Sequence, residues 1–327
     1  MYNEGMQAGY KWKRFARPEL DTLPKTFRLS QEHHNIIEAV DRYKLLSSAH
    51  IHKLFCQTPT DVKRYRDHLR ELNRRRYIYR PLSQRSYYAQ VSGSKPLVYG
   101  LDFRGAALLG ERPGFARARH AQAQRSRMMT SQLFLDHALE VADFMVAVEL
   151  STAAAGFELI HAHELLERAP KRTSKRKQVS PWMWETRISR GREARSVWME
   201  PDQMFGLSFS DKRADQFYFL ECDRGTMPVE RKNLSKTSFL RKFLSYADTR
   251  KRGLHTKIYG LSNFTVLTIA PTNRRKDNLI DAHQRHTKGA VHPNLFLFID
   301  RPSLLRSRDV FALPWVNGNG KQVRLVP

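Results

Sequence analysis

Residues 216–226, QFYFLECDRGT, run four aromatic or aliphatic side chains straight into two acids, with Arg224, Gly225 and Thr226 behind them. So short and apolar a run, closed by turn residues, predicts a buried strand. Alternation along a strand puts Phe217, Phe219, Glu221 and Asp223 on one side and Tyr218, Leu220 and Cys222 on the other. The carboxylates therefore meet at the strand's end. Two acids that close raise each other's proton affinity unless a cation neutralises them, and a divalent metal is the usual cation for an all-oxygen site. The competing expectation is a structural ion network with Arg224, Arg231 or Lys232.

The surrounding pattern supplies the sheet. A long helix over 131–156 is apolar nearly all round, with His137, Glu140 and Asp143 as its exceptions, and it predicts packing against a sheet. A strand follows at FELIHAH, and a basic stretch, RAPKRTSKRKQ to RISRGREARS, predicts loop or a long hairpin up to about residue 196. From SVWMEPDQMFGLSF onward the order is strand, turn, the strand FYFLECD, helix over 235–253, strand FTVLTIAPT, helix NRRKDNLIDAHQRH and strand LFLFID. A mixed α/β sheet with helices on its faces is the expected outcome. His137, on an apolar helix, reads as a core histidine, and Tyr246, the one candidate tyrosine for a covalent nucleophile, reads better as core packing.

The first third is organised differently. After a basic, Pro-punctuated arm (1–27), SQEHHNIIEAVDRYKLL predicts a helix with Ile36, Ile37 and Val40 inward. A short helix capped by Ser48 and a third capped by Thr60 follow, the last with Val62, Tyr65, Leu69 and Leu72 inward. RRRYIYRPL, SYYAQV and PLVYGLDFRGAALLG predict a small hairpin and a closing strand. Helix, helix, helix, wing is the order of a winged helix-turn-helix over 28–109, whose third helix enters the major groove. Lys63, Arg64, Arg66, Arg70, Arg74, Arg75 and Arg76 are its candidate DNA contacts, because basic residues in this stretch far outnumber Asp61, Asp67 and Glu71. Residues 110–129 predict a basic linker, and 130–327 a second domain.

Charge narrows the partner. The chain carries 57 Lys and Arg against 32 Asp and Glu, a formal net charge of +25. Such self-repulsion is best offset by a polyanion that releases counterions, which points to nucleic acid. No apolar run approaches the roughly 18 residues that span a membrane. The first residues lack the apolar core of a signal peptide, so the chain is expected in the cytosol. Cys56 and Cys222 are too few for a disulfide framework or a four-cysteine zinc site.

Pro201-Asp202 before a hairpin, then Glu221 and Asp223, with Lys232 following and Glu140 more loosely upstream, resembles the restriction-endonuclease-like superfamily. A winged helix followed by PDQMFGLSF and FYFLECDRGTMPVERKN resembles, more narrowly, the replication-relaxation family and the MOBC-class plasmid relaxases, over roughly residues 30–300. The resemblance implies a plasmid replication or mobilisation protein acting on double-stranded DNA at an origin, alone, as a homodimer or with accessory mobilisation proteins. It implies nicking with Mg²⁺ or Mn²⁺ held by Asp202 and Glu221, with Asp223 as a third ligand or as the base that positions water, and the phosphate charge met by a lysine or, instead, by Arg224. The acid-x-Lys slot reads Glu221-Cys222-Asp223, so its lysine must come from Lys232, with Lys236 as the fallback. The alternative is a DNA-binding replication or transcription regulator with the same fold and structural carboxylates.

Overall fold

The computed structural model describes residues 18–24, 26–84, 95–110, 131–170, 180–191, 193–211, 213–287, 289–307 and 309–326. The chain divides into two compact units, 1–146 and 147–327. The hairpin segment SYYAQV, most of the expected linker and the basic run over 171–179 lie outside the described residues.

In the first unit, α1 (Gln31–Tyr43) starts on a capping box, the Ser30 hydroxyl accepting from the His33 N–H while the His33 ring accepts from the Ser30 N–H. It stops at Lys44, whose φ of 66° a helix cannot continue. Strand β1 (Leu45–Ser47) leads into α2 (Ser48–Phe55), capped by Ser47, and α3 (Pro59–Arg74), capped by Thr58 with Pro59 in its first turn. Both caps therefore precede the expected Ser48 and Thr60. Those two residues lie inside the helices, and Pro59 suits the first helical position because it needs no N–H there.

Strands β2 (Ile78–Tyr79) and β3 (Val98–Leu101) complete an antiparallel sheet in the order β1-β3-β2. Gly100 in the central strand is required, since a Cβ there would sit 2.6 Å from the Tyr79 ring and 2.9 Å from Leu45. PLVYGLDFRGAALLG does not end as a strand. Asp102 accepts from the Phe103 N–H and starts α4 (Phe103–Leu109). Helix α5 (Gln132–Ala155) carries the chain into the second unit.

Among the described residues, that unit is built on a seven-stranded mixed sheet, ordered β12-β11-β10-β9-β8-β7-β4. Its elements are β4 (Glu158–His161), α6 (Ala162–Arg168), the separate hairpin β5 (Trp184–Arg190) and β6 (Glu193–Met199), β7 (Gln203–Ser208), β8 (Gln216–Cys222), α7 (Phe239–Lys251), α8 (Leu254–Tyr259), β9 (Thr265–Ala270), α9 (Asn273–Thr287), β10 (Phe296–Asp300), α10 (Arg301–Arg306), β11 (Trp315–Asn317) and β12 (Gln322–Val323). The stretch read as one strand across 196–209 breaks at Glu200-Pro201-Asp202 into β6 and β7, which belong to different sheets. Proline has no N–H for a ladder, so the break falls where pairing cannot continue.

Strands β8, β9 and β10 are parallel neighbours. Helices α7 and α9 cover them, Phe239, Phe243, Tyr246, Leu279 and Ile280 sharing one core with Phe219, Val266, Phe296 and Phe298. The β5–β6 hairpin lies over the outer side of α7: the Trp184 indole N–H donates to Thr249 at 2.8 Å, the Thr186 hydroxyl to Ser245 at 3.1 Å and the Arg187 N–H to Asp248 at 2.8 Å.

Candidate functional site

The acids sit where β8 ends and α7 crosses it. Glu221 is buried on the α7 face. One turn apart on that helix, Lys242 donates its ammonium to Glu221 Oε2, and the Tyr246 hydroxyl donates to Glu221 Oε1 at 2.6 Å. A four-residue interval places both donors on one helix face. Asp202, at the start of β7, is fixed by the neighbouring strand: its N–H donates to the Leu220 carbonyl at 3.0 Å, and its Oδ2 accepts from the Cys222 N–H at 2.8 Å.

Burial pushes the Glu221 carboxyl up to about 7, and Asp202 pushes the same way while Lys242 opposes. Burial works against the Lys242 ammonium, yet Glu221 and Asp202 outweigh it and raise its pKa above the ordinary lysine range. Burial first, then Glu221, holds Tyr246 protonated. A phenolate is thus disfavoured at this tyrosine, whose hydroxyl serves as a donor to Glu221.

Asp223 turns to a different cation. It lies past the last residue of β8, its N–H donating to the Ile269 carbonyl at 2.8 Å, and its Oδ2 accepts from Arg275 Nε of α9 at 2.6 Å. Its Oδ1 accepts from the Gly225 N–H at 2.8 Å, closing a turn that needs glycine because φ there is 74°. The two acids that alternation aligned are therefore served by cations from two helices, Lys242 and Arg275. The expected partners Arg224, Arg231 and Lys232 are not the ones bonded to them; Lys232 and Lys236 are exposed in the loop before α7.

These contacts test the three-carboxylate metal site. All-oxygen donors suit Mg²⁺ chemically. As arranged, however, both Glu221 oxygens are taken by Lys242 and Tyr246, and Asp223 faces Arg275. Among the described residues, no group of three His, Cys, Asp or Glu side chains is placed to hold a metal ion. The arrangement does not fit a three-carboxylate cage. Glu140, the upstream acid, lies on α5 within the first unit.

The basic helix belongs to that first unit. Tyr65, Leu69, Leu72 and Asn73 form the buried side of α3, while Lys63, Arg64, Arg66, Arg70 and Arg74 are exposed. Arg64 and Arg70 pair with Asp61 and Asp67 one turn away at 2.8 and 2.9 Å, solvent-facing pairs that a phosphate can replace. Arg75 is buried, held by Glu71 and by the Pro24 carbonyl at 3.0 Å, with its guanidinium 4.1 Å from the Phe27 ring centre. Arg76 donates to the Pro18 carbonyl at 3.1 Å. Both tie down the segment before α1.

Sequence reasoning missed Lys242, Tyr246 and Arg275 as site residues. The signal for the first two was present: Lys242 and Tyr246 at i and i+4 on a helix that must cover a strand ending in an acid. Arg275 carried no such signal.

Among the described residues, no helix is long and apolar enough to cross a membrane. No curated protein and no solved structure matches the chain. The profile of the replication-relaxation family matches residues 37–266, a span that begins within α1 and takes in α2 to α4, Asp202, Glu221, Asp223, Lys242 and Tyr246, and on that match the chain belongs to the replication-relaxation family.

Proposed function

We propose that the protein is a plasmid replication or mobilisation factor that binds double-stranded DNA through a winged helix formed by α1 to α3 and the sheet β1-β3-β2. The observation that carries this reading is α3, which buries one side in its own unit and exposes Lys63, Arg64, Arg66, Arg70 and Arg74 on the others. A helix set on a small antiparallel sheet and charged in this way suits the major groove, with the phosphates as the main source of affinity. The +25 formal charge supports the same partner. Replacing Arg64, Arg66 and Arg70 by Glu should weaken duplex binding strongly in a gel-shift titration. Unchanged affinity with folding intact would remove α3 from the binding surface.

A second reading, nicking of one strand with Mg²⁺ or Mn²⁺, is favoured by a separate observation. Lys242 stands against Glu221 and near Asp202, and so supplies a lysine to the acids where Glu221-Cys222-Asp223 has none. This reading requires Glu221 to leave its bonds to Lys242 and Tyr246. Supercoiled plasmid incubated with the protein and either metal, against EDTA, tests it: relaxation lost in Asp202→Ala and Glu221→Ala supports nicking. No relaxation with any divalent metal leaves the DNA-binding regulator.

A further inference from the structure

Helices α1 and α2 begin on the same device, a capping box closed by histidine. Ser30 with His33 forms the first and Ser47 with His50 the second, each serine N–H donating to the ring Nδ1 three residues on, at 3.0 and 3.2 Å. Glu or Gln usually closes such a box. A histidine closes it only while Nδ1 keeps its lone pair, which leaves the proton of the neutral ring on Nε2. The two rings differ in what meets that proton. His50 Nε2 lies 2.7 Å from Asp143 Oδ1, whereas His33 Nε2 is buried with no hydrogen-bond partner among the described residues. Protonating His33 would set an Nδ1–H against the Ser30 N–H, with only the Ser30 hydroxyl, 3.0 Å from Nδ1, left to accept.

The layer around His33 also disfavours a cation. Its ring meets that of His68, on α3, in a T-shape with centroids 4.3 Å apart, and His68 Nε2 is likewise buried without a partner among the described residues. Phe27 packs on His33 at 5.2 Å and Tyr65 on His68 at 5.7 Å, while α2 meets the stack through Phe55, parallel to Tyr65 at 5.6 Å. The charged groups that act on the pair are Glu32 and His34 of α1 and Arg64, Asp67 and Glu71 of α3; Arg75 lies against Phe27 and is bonded to Glu71. Burial first, then His68, hold the His33 ring below the ordinary histidine range against Glu32 and Glu71. Burial lowers His68 as well, with Arg64 on its side and Glu32 and Asp67 opposing. The folded unit therefore binds these protons less tightly than the unfolded chain, so the stability that the neutral pair gives is complete above about pH 6.5 and is lost as pH falls below it.

We infer that His33 and His68 form a pH-sensitive latch between the start of α1 and the basic helix α3, closed while both imidazoles are neutral and released by protonation, so that acidification lowers the affinity for DNA. This direction is the reverse of what charge alone gives, since added positive charge strengthens phosphate binding. The inference rests on the DNA-binding reading for its consequence, whereas the release itself needs no DNA.

Two measurements on the full-length protein at constant ionic strength test it. Amide hydrogen exchange, corrected for its intrinsic pH dependence, reads the opening of α1 at residues 34–37, and anisotropy with a fluorescently labelled duplex reads binding. Between pH 6.5 and pH 5.5, protection and affinity should each fall about tenfold, as for one linked proton. His33→Gln/His68→Gln keeps an acceptor for the Ser30 N–H and cannot titrate, so it should lose neither. His33→Gln, the milder change, should lose less than the parent, and His34→Gln, which removes a neighbouring imidazole, should lose as much. Parental losses in both His33 variants, an equal sparing in His34→Gln, or a parent that keeps its protection or its affinity overturns the latch while leaving α3 in place. Protection that falls as expected with no duplex bound at any pH overturns the DNA-binding reading, and the control of binding with it.

Discussion

Lys242 donates to Glu221 inside the second unit, and the two groups neutralise each other with the carboxylate buried and the ammonium stem mostly covered, 1% and 22% of their side chains being exposed. Removing one partner strands a buried charge, which typically costs about 3 kcal/mol or more. Lys242→Met should therefore lower stability by about 3 kcal/mol in urea unfolding. Lys242→Met/Glu221→Gln should recover part of that loss. A single variant as stable as the parent would show that Glu221 is held by something other than the ammonium.

Glu221 also gives stability a dependence on pH. Its carboxyl is raised from an ordinary 4.5 to about 7 by burial, so the folded state holds this proton more tightly than the unfolded chain does. The resulting stability is complete below about pH 4.5 and is lost as pH rises through about 7. Glu221→Gln, which cannot titrate, should lose less melting temperature between pH 5 and pH 8 than the parent. Equal losses would place the carboxyl outside that window.

The Tyr246 hydroxyl lowers the proton affinity of Glu221 by donating to its Oε1. Tyr246→Phe keeps the ring in its aromatic packing against Phe219 and Trp184 and deletes only that donor. It should cost roughly 1.5 to 3 kcal/mol, as for a hydrogen bond to a charged group. The pH midpoint assigned to Glu221 should also move upward, and a midpoint left in place would contradict the bond.

Asp223 and Arg275 form the second buried pair, with 1% and 16% of their side chains exposed. Their single alanine variants should not add. A double-mutant cycle in denaturant should give a coupling of about 1 to 3 kcal/mol, whereas a coupling near zero would mean that each is held by its backbone partners alone.

Should the parent relax plasmid, the lysine that matters is expected to be Lys242. Lys242→Met should slow relaxation on the order of a hundredfold, as when a charge-stabilising donor is removed, while Lys232→Met and Lys236→Met retain the parental rate. The reverse ranking would return the role to the loop.

Much of the fold is legible in the sequence where periodicity is strong. The strand at 216–222, the helices after it and the strands at 265 and 296 fall where their apolar patterns put them. The rest depends on contacts distant in sequence. Nothing local to Arg275 marks it as the partner of Asp223, 52 residues earlier. Closeness in sequence to the acids favours Lys232, but helix geometry rather than chain distance decides which lysine reaches them. Short β-rich runs are also ambiguous: PLVYGLDFRGAALLG reads as strand through its β-branched start, and the capping carboxylate of Asp102 turns its second half into a helix.

The order in which the cluster is completed bears on synthesis. Asp202, Glu221, Lys242 and Tyr246 emerge from a ribosome in that sequence, but β8 gains its parallel neighbour only with Thr265–Ala270, and Asp223 its cation only with Arg275. A nascent chain halted before α9 would hold Asp223 without its clamp beside a half-built sheet. The charge balance of the finished site thus depends on chain made after β9, and the edge of β8 stays open until then.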